Sequence, residues 1–182
     1  DRLVHLVAHH GVSQEAADAM QSSFPMKPGR DAITARAIAA GTLVRFAGDS
    51  VMVSFNDPVE IERPAEAAVR MALAMQAAFP PLGEQWRKRG YDLGLGCGVA
   101  QGYATLGQIG FEGRWDYAAI GSVTNLAARL CSEATGGQVL VDRKTMARVE
   151  ELVQAEPLGV LTLKGFPHRV PAFYVTGLRR SD

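Results

Sequence analysis

The chain has 182 residues, is 47% hydrophobic, and sets 19 Lys+Arg against 19 Asp+Glu for a formal net charge of zero. That length and apolar content can fill one domain core, and the charge balance leaves no overall footprint for nucleic acid or an anionic membrane, so phosphate affinity has to be local. No secretory core segment and no bilayer-length apolar run occur, so the reading is a cytoplasmic protein, with Cys97 and Cys131 as small core residues rather than a disulfide.

DRLVHLVAH, Asp1 to His9, alternates enough to predict a strand. Ser13 can cap a short helix through Met20, and Pro25, Pro28 and Gly29 break the chain before an alanine-rich helix from Asp31 to Ala40. Composition shifts near Gly41. Thr42 to Ala47 and Ser50 to Phe55 read as a β-hairpin turning at Gly48 and Asp49, and Asp57-Pro58 ends its second strand. Pro64 opens a helix whose apolar positions Ala65, Ala68, Val69, Ala72, Met75 and Phe79 follow a period near 3.6. Pro80-Pro81 interrupts that helix, and Glu84 to Arg89 reads as a final solvated turn.

Leu93 to Ala100, LGLGCGVA, alternates apolar residues with glycine, as in a buried strand crowded against another backbone. A strand from Gly102 to Ile109 turns at Phe111 to Arg114 and returns over Trp115 to Ile120. A helix over Val123 to Ala134, a strand over Gln138 to Val141, a helix over Arg143 to Leu152 and strands over Gly159 to Lys164 and Val170 to Thr176 complete the chain. This alternation predicts an α+β fold, a sheet covered by helices on one face with βαβ units inside it.

Three features carry chemistry. Asp49 sits at a turn between two strands, where a carboxylate can meet a divalent cation bridging phosphate oxygens, or can simply be a turn residue. Asn125 and Arg129, four apart on one helix, leave the same face. The amide can fix a ribose oxygen and the guanidinium can fork onto phosphate; alternatively the two start the helix and line a solvated surface. Lys164, before a glycine in LTLKGFP, can present an ammonium to phosphate or end a solvated strand.

LVRFAGDSVMVSFNDP, the following AAVRMALAMQ helix and GSVTNLAARL together resemble the catalytic domain of class III adenylate and guanylate cyclases, over Thr42 to Leu178. The resemblance implies a ferredoxin-like cyclase fold with a mostly antiparallel central sheet. It also implies a homodimer with active sites in the cleft, a nucleoside triphosphate substrate with ATP favoured, and Mg²⁺ or Mn²⁺ as cofactor. Asp49 takes the place of a metal ligand, Asn125 and Arg129 those of the ribose- and triphosphate-orienting pair, and Lys164 that of a phosphate-binding lysine.

The departures are specific. Where many adenylate cyclases read adenine with a lysine and an aspartate or threonine, this chain has Arg45 and Ala118; arginine can still donate to the base, and alanine cannot accept from an amine. No segment before Asp49 resembles the family's other metal-binding aspartate. Residues 1–41 instead resemble part of a GAF sensory domain, which gives a division into 1–41, GAF-like, and 42–182, cyclase with its first strand and helices atypical or replaced. If residues 1–41 fill the missing positions, His9 or His10 approaches the metal site. A catalytically silent nucleotide-binding or dimerising sensory module is the alternative to an enzyme. A ferredoxin-like RNA-binding domain is disfavoured by the absence of a basic stripe and of exposed strand aromatics.

Overall fold

The computed structural model describes residues 2–10, 42–47, 49–58, 60–111 and 114–180. The helices expected at Ser13 to Met20 and Asp31 to Ala40, and with them the body of the GAF-like segment, lie outside the described residues.

The strands are β1 (Arg2–His10), β2 (Thr42–Ala47), β3 (Ser50–Pro58), β4 (Leu95–Tyr103), β5 (Thr105–Phe111), β6 (Arg114–Ile120), β7 (Val139–Asp142), β8 (Val153–Leu161) and β9 (Val170–Leu178). The described helices are α1 (Pro64–Ala78), α2 (Pro80–Arg87), α3 (Ser122–Glu133) and α4 (Arg143–Val149). Seven strands form one sheet in the order β2-β3-β1-β4-β7-β9-β8, and β5-β6 form a separate two-stranded ribbon. All pairings in the large sheet are antiparallel except β4 with β7, which α3 connects as a βαβ crossover.

The amino-terminal strand is internal. β1 pairs with β3 on one side and β4 on the other, so His9 stands between Ser50 and Gly96 and Val7 between Met52 and Gly98. The gap expected where the family's first strand is missing is therefore occupied, and the backbone groups of β3 and β4 are paired rather than left as an exposed edge.

Helices cover both faces of the sheet, not one as expected. On the first face, Ala65, Ala68, Val69 and Ala72 of α1 and Val149 of α4 pack on Val53, Phe55, Leu95, Cys97, Val99, Val139 and Val141. On the second, Val123, Ala127, Leu130 and Cys131 of α3 pack on Ala100, Leu140 and Ala172. Consecutive residues of β7 alternate between these two cores, as a strand covered on both sides requires.

Three boundaries differ from expectation. α2 is a helix rather than a solvated turn, because Trp86 is buried and its ring meets Tyr91 edge-on at 5.8 Å. α4 ends at Val149, and β8 begins at Val153 rather than Gly159; Pro157 is tolerated there because β8 is an edge strand. Lys164 consequently lies in the β8–β9 turn, beyond the end of the strand. Among the described residues no helix is long and apolar enough to cross a membrane.

Candidate active site

The β2–β3 hairpin holds Asp49 at its turn, half-buried, with the Ser50 hydroxyl 3.5 Å from Asp49 Oδ1. On α3, which packs on the face of the sheet that carries Gly98, the Cys131 thiol is buried. That thiol is pushed up to about 12 by burial first; a hydrogen bond from the Gly98 backbone opposes the rise and the Asp49 charge adds to it. Cys131 Sγ also donates to the carbonyl of Gly96 at 3.5 Å.

Glycine is what allows α3 to lie so close. A Cβ on Gly98 would stand 2.3 Å from the Cys131 backbone nitrogen and 2.4 Å from the Ala127 carbonyl, distances that any side chain would violate. Farther along β4, a Cβ on Gly96 would meet the Ala134 carbonyl at 2.7 Å and one on Gly102 would meet Val123 Cβ at 3.0 Å. The expected reason for the alternating glycines, close backbone approach, is therefore what is observed. These contacts also fix the direction of α3, which runs antiparallel to β4.

With its inner side against the sheet, α3 turns Asn125 and Arg129 outward, both exposed. Neither takes a hydrogen bond or ion pair from another described residue. The start of α3 is set by Gly121, whose carbonyl accepts from the Thr124 hydroxyl at 2.7 Å, so Asn125 is not needed as a cap. Lys164 is exposed, held on its turn by buried Leu163, by Gly165 at φ +87°, and by the Phe166 amide donating to the Leu163 carbonyl at 3.1 Å. Arg45 is placed by register alone: it pairs with Met52, which on its other side pairs with Val7.

These groups do not converge within one chain. Asp49 is at the end of the sheet where β4 begins, beside Gly96 and the carboxyl end of α3. Asn125 is near the other end of α3, about 13 Å along the helix axis from Ala134 at 1.5 Å per residue. Lys164 precedes β9, whose start at Val170 follows the far end of the sheet, since Val99 pairs with Val141 and Val141 with Phe173. Each chain thus carries a carboxylate at one end and an amide and an ammonium toward the other, with the guanidinium of Arg129 between them on the turn of α3 that meets Gly98. A cleft of about 480 Å³ between α4 and the β8–β9 turn, lined among others by Arg143, Lys144, Phe166 and Arg169, includes none of the candidate groups.

Sequence reasoning left His9 and His10 undistinguished. The strand register gives them different partners: His9 pairs with Ser50 and Gly96, and His10 with Leu95. Only the partners of β1 carry that information, and they lie far away in the sequence.

Residues 32–177 match the family described as the adenylate and guanylate cyclase catalytic domain. Adenylate cyclase 1 of Rhizobium meliloti (strain 1021) is 32% identical over 144 residues, 78% of this chain and 22% of its own length. An adenylate cyclase of Anabaena cylindrica is 28% identical over 97 residues, 50% of this chain and 18% of that protein. The chain thus spans about a fifth of the length of these curated relatives. Among solved structures, the adenylyl cyclase CyaB from P. aeruginosa superposes with a TM-score of 0.80 at 28% identity, covering 98% of this chain and 95% of that one. The guanylyl cyclase Cya2 has the same fold, with a TM-score of 0.80 at 23% identity over 98% of this chain and 93% of that one.

Proposed function

Since the chain belongs to the adenylate and guanylate cyclase catalytic-domain family, we propose that it converts a nucleoside triphosphate, ATP in preference to GTP, into the 3′,5′-cyclic nucleotide and pyrophosphate for intracellular signalling. The observation that carries this reading is the family match over 32–177, which spans both the Asp49 hairpin and α3. The preference for ATP rests on the Rhizobium relative being an adenylate cyclase.

The site is shared by two copies of the chain. Asp49 of one protomer faces Asn125, Arg129 and Lys164 of the other, a division consistent with half-sites toward opposite ends of one sheet. Two-fold symmetry then produces two identical sites in the dimer cleft.

Asn125 holds the ribose so that its 3′-oxygen points at the α-phosphorus. A bond forms between them as the bond to the β-phosphate bridging oxygen breaks, the 3′-hydroxyl proton is lost, and pyrophosphate departs. Arg129 forks onto the phosphate oxygens that gain charge in this displacement, and Lys164 neutralises the departing β- and γ-phosphates. Arg45 donates to the base. Asp49 suits a hard divalent ion, Mg²⁺ or Mn²⁺. Among the described residues no group of three or more His, Cys, Asp and Glu side chains could hold one unaided, so Asp49 would hold such an ion together with donors from the substrate. When bound, such an ion lowers the pKa of the attacking hydroxyl and clamps the triphosphate.

The absence of a metal-holding group among the described residues favours a second reading, a dimerising module of GAF-like and cyclase-like parts that binds nucleotide without turnover. One experiment separates the two. Purified protein incubated with ATP and Mn²⁺ is assayed for cyclic AMP by mass spectrometry: product lost in Asp49→Ala supports the cyclase, and a folded dimer yielding none supports the silent module.

A further inference from the structure

Between α4 and the β8–β9 turn lies the cleft of about 480 Å³ that no candidate catalytic group enters. Its apolar lining comes from Ala147 on α4, Phe166 in the turn, and Val170 and Pro171 at the start of β9. Its charged lining is almost all of one sign: Arg143, Lys144 and Arg169, with the His168 imidazole as a further donor, all exposed. The one carboxylate among the lining residues, Asp142, is buried and already accepts from the amides of Lys144 and Thr145 and from the Thr145 hydroxyl. None of the four basic side chains has an ion-pair partner among the described residues. In a chain whose formal net charge is zero, these cations around one apolar depression are a local excess of positive charge, not a share of a general one.

Both walls are fixed. The Asp142 side chain anchors the first turn of α4, and buried Leu163, the positive φ of Gly165 and the Phe166 amide bonded to the Leu163 carbonyl hold the β8–β9 turn. The cleft is therefore formed in advance, and little has to be ordered when something enters it.

We infer that this cleft docks a short acidic segment of a partner protein, its apolar side chains seated on Ala147, Phe166 and Val170 and its Asp or Glu carboxylates on Arg143, Lys144 and Arg169. Charge complementarity selects this occupant. A purely apolar segment gains nothing from the cations, whereas a carboxylate accepts the forked donors of arginine in a defined geometry. A nucleic-acid strand needs a longer basic track with exposed rings for its bases, and a flat anionic membrane does not reach the apolar floor of a concave site. The inference does not depend on the cyclase reading.

The full 182-residue protein is used to pan a phage-displayed library of short random peptides, in parallel with the Arg143→Glu/Arg169→Glu double variant. Sequences enriched on the unaltered protein are expected to place Asp or Glu beside Leu, Phe or Trp, and to be missing from the pool taken by the variant. A fluorescein-labelled peptide from that pool is then followed by fluorescence anisotropy. Its affinity should fall about tenfold or more in the double variant, where two exposed ion pairs become repulsions. It should also fall as salt is raised. Ala147→Phe fills the cleft at an exposed position without changing charge, and should abolish binding while leaving thermal unfolding unaltered. Lys88→Glu removes an exposed cation at the end of α2, outside the cleft, and should change nothing. The inference is overturned if no acidic sequences are enriched, if the peptide binds Ala147→Phe undiminished, or if Lys88→Glu weakens it as much as the double variant does. Single-stranded oligonucleotide or phosphatidylserine vesicles that displace the peptide more readily than unlabelled peptide does would assign the cleft to that ligand, and overturn it equally.

Discussion

Asp49 and Asn125 stand toward opposite ends of the layer formed by β4 and α3, the first beside Gly96 and the second two residues past Val123, which packs on Gly102. No rotamer change closes such a separation within one chain. The proposed site shared by two copies can be tested by mixing variants.

Asp49→Ala and Arg129→Ala are each expected to lower cyclase activity by about a hundredfold or more, as loss of a charged group acting on the transition state does. Mixed in equal amounts, refolded together and assayed, the two inactive proteins should regain about a quarter of full activity. Half of the dimers are mixed, and each of those has one of its two symmetry-related sites intact. A mixture no more active than its components would mean that both groups serve the same chain.

Gly98 is expected to tolerate nothing larger. Gly98→Ala sets a methyl against the Cys131 nitrogen and the Ala127 carbonyl, backbone atoms that cannot step aside, and should cost about 3 kcal/mol or more. Gly177→Ala is the control: nothing lies within 4 Å of its added methyl and its φ is not positive, so thermal unfolding should shift little. Equal shifts for both variants would remove close packing as the reason for the β4 glycines.

Alkaline pH should weaken the fold through its thiols. Cys97 is pushed from 9.0 to about 12 by burial first and then by the nearby Cys131, with a hydrogen bond from Gln76 opposing; Cys131 is likewise about 12. The unfolded chain ionises these thiols near pH 9 while the folded chain keeps them protonated, so the unfolded state binds fewer protons above that pH. Stability is therefore flat below pH 9 and falls above it, by up to about 1.4 kcal/mol per pH unit for each thiol. Urea midpoints between pH 8 and 10 should show the fall, and Cys97→Ala should reduce its slope while lowering the plateau. At pH 8 neither thiol should react with a disulfide reagent until denaturant is added, since both are buried and neither is in a disulfide.

Removing β1 should be more damaging than removing an edge strand. Deletion of residues 1–10 leaves β3 and β4 without their shared partner. The expected outcome is insoluble protein, or a monomer with reduced β-sheet circular dichroism. A truncated chain that remained folded and dimeric would show that the sheet does not depend on this strand.

Much of this arrangement was legible in the sequence because it is local. The hairpin around Asp49 has its turn and both strands within sixteen residues of chain, and the Gly-apolar alternation of LGLGCGVA announces a close contact even before the partner helix is known. β8 was harder to read, since Pro157 and Gly159 interrupt its pattern and only its position at the sheet edge reconciles a proline with a strand. The burial of Trp86 was concealed by the charged residues around it, Glu84, Arg87, Lys88 and Arg89, which read as solvent-facing. Helices on both faces, and the place of β1 inside the sheet, depend on which strands pair across long stretches of chain. Periodicity is blind to that.

The order in which the strands are made differs from the order in which they can pair. β1 is made before its neighbours β3 and β4, which are completed only at Pro58 and Tyr103, and the far flank of the sheet comes later still. Through most of synthesis this apolar segment has no place to dock, and closing it into the middle of the sheet is a long-range event of the kind that slows folding. During synthesis the chain is thus dependent on whatever keeps this strand from finding another molecule's strand first.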